Sequence, residues 1–120
     1  MRPSEQSKVR AAASGWVEAH VTVRSPLGFH LRPATTIAEM VRPFADTDVE
    51  LEFGGKVVDA SSMLAMMQIA SEPGTPFTIR ARGPGAAEIV ASIAAFFDDA
   101  FGEKDAVPGE TQSDDATTQQ

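Results

Sequence analysis

The chain is 120 residues long, 42% apolar and free of cysteine, with a formal net charge of −7 and a pI near 4.7. That length supports one core, no apolar run reaches the length of a membrane span, and disulfide staples and thiolate metal sites are excluded. Scattered arginines on an acidic body form no basic stripe able to displace counterions, so nucleic acid is not expected as a partner.

Residues 1–15 carry Arg2, Glu5, Lys8 and Arg10 around a short alanine run. They lack the apolar block of a secretory signal, which leaves the cytoplasm as the default location, and they read as a flexible N-terminal segment. Residues 16–24 alternate, with Val17, Ala19, Val21 and Val23 on one side and Glu18, His20, Thr22 and Arg24 on the other. This predicts a half-buried strand, with His20 solvated on its polar face. Ser25-Pro26-Leu27-Gly28 is a turn by composition. Over 31–41, Ala34, Ile37, Ala38 and Val41 recur at helical spacing. Pro33 fits that helix only in its first turn, which pins the helix start near His30, and Pro43 ends it.

Val49, Leu51 and Phe53 alternate with acids to give a second strand, the Gly54-Gly55 pair forms a hairpin turn, and residues 56–60 return as a third strand. A serine cap opens a short helix over 61–70, in which Met63, Leu64, Met66, Met67 and Ile69 make a nearly continuous apolar run. Glu72-Pro73-Gly74 turns the chain, and Phe77, Ile79 and Ala81 alternate in a fourth strand. Gly83-Pro84-Gly85 breaks it, and residues 86–101 carry Ile89, Val90, Ile93, Phe97 and Phe101 on one helical face, closed by Gly102. Residues 103–120 hold five acids and one base among Thr, Gln and Ser and read as a disordered acidic tail. The domain therefore spans 16–102, and truncation after Gly102 is expected to leave function intact. The order βαββαβα, with one polar sheet face, implies an α+β two-layer sandwich with helices on the other face.

The stretch Gly28-Phe29-His30-Leu31-Arg32-Pro33-Ala34 concentrates chemistry. A neutral imidazole is a good phosphoryl acceptor. The first amides of a helix lack intrahelical partners and carry the positive end of its dipole, which favours a phosphate. A guanidinium two residues on adds charge-assisted hydrogen bonds. Because Pro33 has no amide hydrogen, the backbone donors would be Leu31 and Arg32. No paired carboxylates or metal-ligand pattern stand out, so neither a metal nor a cofactor is expected.

The histidine motif, together with Leu51-Glu52-Phe53-Gly54-Gly55-Lys56 and Ser61-Ser62-Met63-Leu64-Ala65-Met66-Met67, resembles the HPr phosphocarrier family of the phosphoenolpyruvate-dependent sugar phosphotransferase system, over residues 16–102. The resemblance implies an open-faced β-sandwich, a four-stranded antiparallel sheet with three helices on one face. It implies that His30 takes a phosphoryl group on Nδ1 from enzyme I and passes it to an enzyme IIA, with Arg32 steadying the phosphate. The protein would then be a carrier, not an enzyme turning over a small molecule. Aligned without a gap through Gly55-Lys56, the family's regulatory serine is Ser62, the target of a serine kinase; a plain helix cap is the other reading of that residue. A helix on a sheet needs only one apolar stripe, so about half of Met63, Leu64, Met66 and Met67 belong to the core and the surplus forms a partner-docking patch. The protein is expected to be a monomer without membrane insertion.

Several features depart from the family pattern. Ser61 stands where a basic residue is common, residues 41–46 run one residue longer, and the acidic tail has no counterpart. The rivals are a regulatory paralogue in a nitrogen-related phosphotransfer chain and, from other classes, a small-molecule-binding regulatory module or a phosphatase using Arg32 as an anion clamp.

Overall fold

Alternation of apolar and polar side chains along short segments builds one sheet. The computed structural model describes residues 7–107. It contains strands β1 (Arg10–Ala11), β2 (Val17–Thr22), β3 (Asp48–Phe53), β4 (Lys56–Asp59) and β5 (Pro76–Arg82). They lie in the order β1-β2-β5-β3-β4, every neighbouring pair antiparallel. β5 is central, and its buried residues share one face of the sheet with those of both neighbours. Ile79 lies between Ala19 of β2 and Leu51 of β3, and Ala81 between Val17 and Val49. Gly54 and Gly55 join β3 to β4 with φ of 62° and 82°, the left-handed pair that a two-residue hairpin demands.

The helices α1 (Leu31–Val41), α2 (Met63–Met66) and α3 (Ala86–Asp98) cover one face. α1 turns Pro33, Ala34, Ile37 and Val41 inward, and α3 contributes Ile89, Val90, Ile93, Ala94 and Phe97. α2 is a single turn that tightens into a 3-10 turn over Met67–Ile69. The opposite sheet face is polar but partnered. Arg80 pairs with Glu50 at 3.0 Å and Arg82 with Asp48 at 3.5 Å, and both guanidinium groups lie over the Trp16 ring. His20 is on this face, 57% exposed and hydrogen-bonded to Thr78.

Two edges differ from the sequence reading. The sheet has five strands rather than four, because Arg10 and Ala11, inside the expected flexible segment, pair with Glu18 and Val17. Ser7 also binds the Asp98 carboxylate through its amide and hydroxyl, at 2.9 and 2.8 Å. At the other end, Glu103, assigned to the disordered tail, is buried. Residues 1–6 and 108–120, with the remainder of both expected terminal segments, lie outside the described residues.

The reversal that buries Glu103 follows α3. Ala100, Phe101 and Gly102 take φ of 55°, 56° and 74°. For the two non-glycine residues that conformation costs on the order of 1–3 kcal/mol each. Phe101 offsets the cost by entering the core, where its ring meets those of Phe29, Phe96 and Phe97 at 5.8, 5.1 and 4.8 Å. Helix α3 therefore ends earlier than the 86–101 periodicity predicts, and Phe101 is buried by a turn rather than by the helix.

Candidate phosphoryl-acceptor site

The segment leading to His30 is held from both sides. Gly28 takes φ +76°, and a Cβ there would run into the Ser71 carbonyl oxygen. Only glycine permits that approach. Phe29 and Ser71 then exchange both backbone hydrogen bonds, at 2.8 and 3.2 Å. The Phe29 ring is buried among Phe77, Phe97 and Phe101. With Phe29 fixed inward, the extended backbone of His30 (φ −139°, ψ −169°) directs the next side chain outward at the start of α1.

His30 occupies the N-cap position, yet its side chain makes no capping hydrogen bond. Its carbonyl accepts the first helical bond, from the Ala34 amide at 3.2 Å. The Leu31 and Arg32 amides precede that bond, at the positive end of the helix. The imidazole, 31% exposed, turns instead to Glu103, with Nε2 at 3.0 Å from each carboxylate oxygen. Among the described residues every hydrogen bond of the ring is made by Nε2. A carboxylate only accepts, so Nε2 carries the hydrogen, and in the neutral ring the lone pair is then on Nδ1.

The Glu103 carboxylate is 5% exposed. Its Oε1 accepts from the buried Ser25 hydroxyl at 2.7 Å, and its Oε2 lies 3.9 Å from Arg32 Nη1. The Ser25 hydroxyl in turn accepts from the Leu27 amide at 3.0 Å, within the turn that the Ser-Pro-Leu-Gly composition predicts. Arg32 is 72% exposed, its guanidinium tied to the site by that long contact with Glu103. Beside the site a cleft of ≈ 660 Å³ is lined by Leu27, Arg32, Glu103 and Lys104, among others. Sequence reasoning missed Ser25 and Glu103. The available signal was Phe101, a large aromatic just past the helix that has to be buried and so draws the following residue back to the domain.

Ser62 lies at the head of α2, its hydroxyl accepting from the Ala65 amide at 3.0 Å. Its neighbour Ser61 binds the Asp59 carboxylate through amide and hydroxyl. The four residues expected to dock partners divide. Met63 is 37% and Leu64 78% exposed, and Met67 packs partly on the core. Met66 is fully buried, which removes it from any docking patch: the one-turn helix points it at the sheet. Leu31, 54% exposed at the head of α1, joins Met63 and Leu64 as exposed apolar surface, and the Thr35 hydroxyl spans the two helices to reach Met63 Sδ. Among the described residues no group of His, Cys, Asp and Glu side chains is placed to hold a metal ion, and no helix is long and apolar enough to cross a membrane.

A histidine at a helix start, with an arginine two residues on that shares its carboxylate partner, suits reversible phosphorylation. The family model described as "PTS HPr component phosphorylation site" matches residues 17–99. The chain belongs to the HPr family. Among HPr-family relatives, the phosphocarrier protein HPr of Chlamydia muridarum is 33% identical over 74% of this chain and 85% of its own length. The phosphocarrier protein NPr of Escherichia coli K12 is 32% identical over 72% of this chain and 97% of its own. The crystal structure of an HPr from Bacillus anthracis superposes with a TM-score of 0.65 at 30% identity, covering 70% of this chain and 99% of that one. The open-faced α+β fold is therefore the HPr fold, here with a fifth, two-residue strand.

Proposed function

We propose that this HPr-family protein is a phosphocarrier that accepts a phosphoryl group on His30 Nδ1 from enzyme I and passes it to an enzyme IIA in sugar uptake. The observation that carries the reading is the arrangement at the head of α1, where Nε2 is held by Glu103 and Nδ1 is unbonded among the described residues. Phosphate on Nδ1 would be served by the Leu31 and Arg32 amides and the exposed Arg32 guanidinium. The site is open, so these donors stabilise the group only modestly, and a carrier requires that, since deep burial would make the phosphoryl group hard to pass on. Met63 and Leu64, with Leu31, form the surface against which partners dock. Ser62 is the regulatory serine, where a phosphate would add charge to that same surface.

The equal likeness to an HPr and to an NPr supports a second reading, the same chemistry in a nitrogen-related chain. Charging the protein from phosphoenolpyruvate with a sugar-branch enzyme I, and separately with a nitrogen-branch counterpart, separates the two. Faster charging by the first supports the sugar role, and charging by the second alone overturns it.

A further inference from the structure

We infer that Glu103 is a positioning residue for phosphoryl transfer: it fixes the His30 ring in its Nε2–H form, presents Nδ1 as the attacking atom, and faces the positive charge the ring acquires. The inference rests on the reading of His30 as acceptor and extends it to a residue outside the 17–99 family match.

A carboxylate taken out of water requires partners, and those of Glu103 are unequal. Ser25 at 2.7 Å fixes one oxygen, the imidazole takes both at 3.0 Å, and the Arg32 guanidinium is farther off at 3.9 Å on a largely exposed side chain. The backbone is committed to this placement, since Ala100 and Phe101 accept left-handed φ so that the chain turns back onto the site. The Ser25 turn is equally fixed, because its hydroxyl is shared between the Leu27 amide and the carboxylate. The ring thus meets two acceptors at Nε2. A neutral imidazole has one hydrogen to give, so the lone pair is left on Nδ1.

The charge balance follows. The Nδ1 lone pair forms an N–P bond to the phosphorus of a donor phosphohistidine. The donor's N–P bond breaks and its electron pair returns to the donor nitrogen, whose ring, protonated on its other nitrogen, leaves as neutral imidazole. The His30 ring keeps its Nε2 hydrogen and becomes a phosphoimidazolium, with the Glu103 carboxylate opposite that charge. When the next acceptor attacks phosphorus, the same retained hydrogen lets His30 leave as neutral imidazole, so the phosphoryl group stays transferable. No proton enters or leaves the site in either direction.

Glu103→Gln tests this with little change in shape. The Ser25 hydroxyl holds the amide oxygen where Oε1 now lies, so Nε2 faces one acceptor and one N–H donor in place of two acceptors, and its preference for carrying the hydrogen falls. The experiment is nitrogen NMR of the ring in uniformly labelled protein at a pH where the ring is neutral, alongside the rate of charging by enzyme I and phosphoenolpyruvate. The wild-type ring is expected in the Nε2–H form, and the variant, folded by its aromatic and methyl spectrum, should show a population shifted toward Nδ1–H and several-fold slower charging. A wild-type ring mainly in the Nδ1–H form overturns the proposal without any variant, and so does a Glu103→Gln protein with unchanged ring signals and rate. Failure of the wild type to acquire phosphate on His30 would instead bring down the acceptor reading, whatever the ring form.

Discussion

His30 stands where a helix usually has its capping side chain and does not cap. Its ring spends its one donor on a buried carboxylate, which ties the chemistry of the residue to the stability of the domain. From sequence, His30 is a surface helix start whose loss should hardly affect folding; with Glu103 beneath it, His30→Ala strips a buried carboxylate of one of its two hydrogen-bond donors among the described residues, leaving Ser25. That variant should therefore lose phosphoryl acceptance entirely and also about 1–3 kcal/mol of stability in a denaturant titration. Unchanged stability would mean that the His30–Glu103 contact contributes nothing in solution. Ser62 is a second residue for which a structural and a functional role can be tested apart. As an N-cap, its replacement by Ala should cost about 1 kcal/mol. As a regulatory site, Ser62→Asp should slow charging by enzyme I, whereas a normal charging rate would leave it a cap alone.

Among the elements, α2 is where buried and exposed apolar side chains separate most sharply. Its single turn buries Met66 completely and leaves Leu64 largely in water, one side chain pointed at the sheet and the other at solvent. Leu64→Ser should raise the KM for enzyme I while leaving thermal unfolding unchanged. Met66→Ser should destabilise the protein by about 2–5 kcal/mol, because it opens a cavity and places a hydroxyl in it. The reverse pattern would place the docking surface elsewhere. Helix α1 was legible in the sequence, since Pro33 is admitted only in a first turn and Pro43 has no amide hydrogen to continue the helical ladder, although Arg42 before it keeps helical angles. The hairpin at Gly54-Gly55 was legible for the same kind of reason, as a steric requirement carried by the residues themselves. The run Met63, Leu64, Met66 and Met67 was not separable by composition, because which methionine faces inward depends on where a one-turn helix meets the sheet.

At the scale of the whole molecule, the ends of the domain are what the sequence hid. β1 is two residues long and carries no alternation to read, and it exists only through pairing with β2. Glu103 looked like the first residue of an acidic tail, because its position depends on a reversal through Ala100 and Phe101 that local preference opposes and core burial of Phe101 enforces. The expected indifference to truncation after Gly102 is revised accordingly. Ending the chain after Gly102 removes the partner of His30 and should slow phosphoryl transfer, whereas ending it after Val107 should leave the rate as it is. Equal rates for the two truncations would separate Glu103 from function.

The most direct test of the central claim is phosphoryl transfer from phosphoenolpyruvate through purified enzyme I, followed by intact mass and a mild-acid treatment, on the wild type, His30→Ala and His20→Ala. His20, hydrogen-bonded on the open sheet face, is the internal control. An acid-labile adduct of one phosphoryl group on the wild type and on His20→Ala, absent from His30→Ala, is the predicted result. An adduct that survives in His30→Ala, or no adduct from enzymes I of either branch, would contradict it.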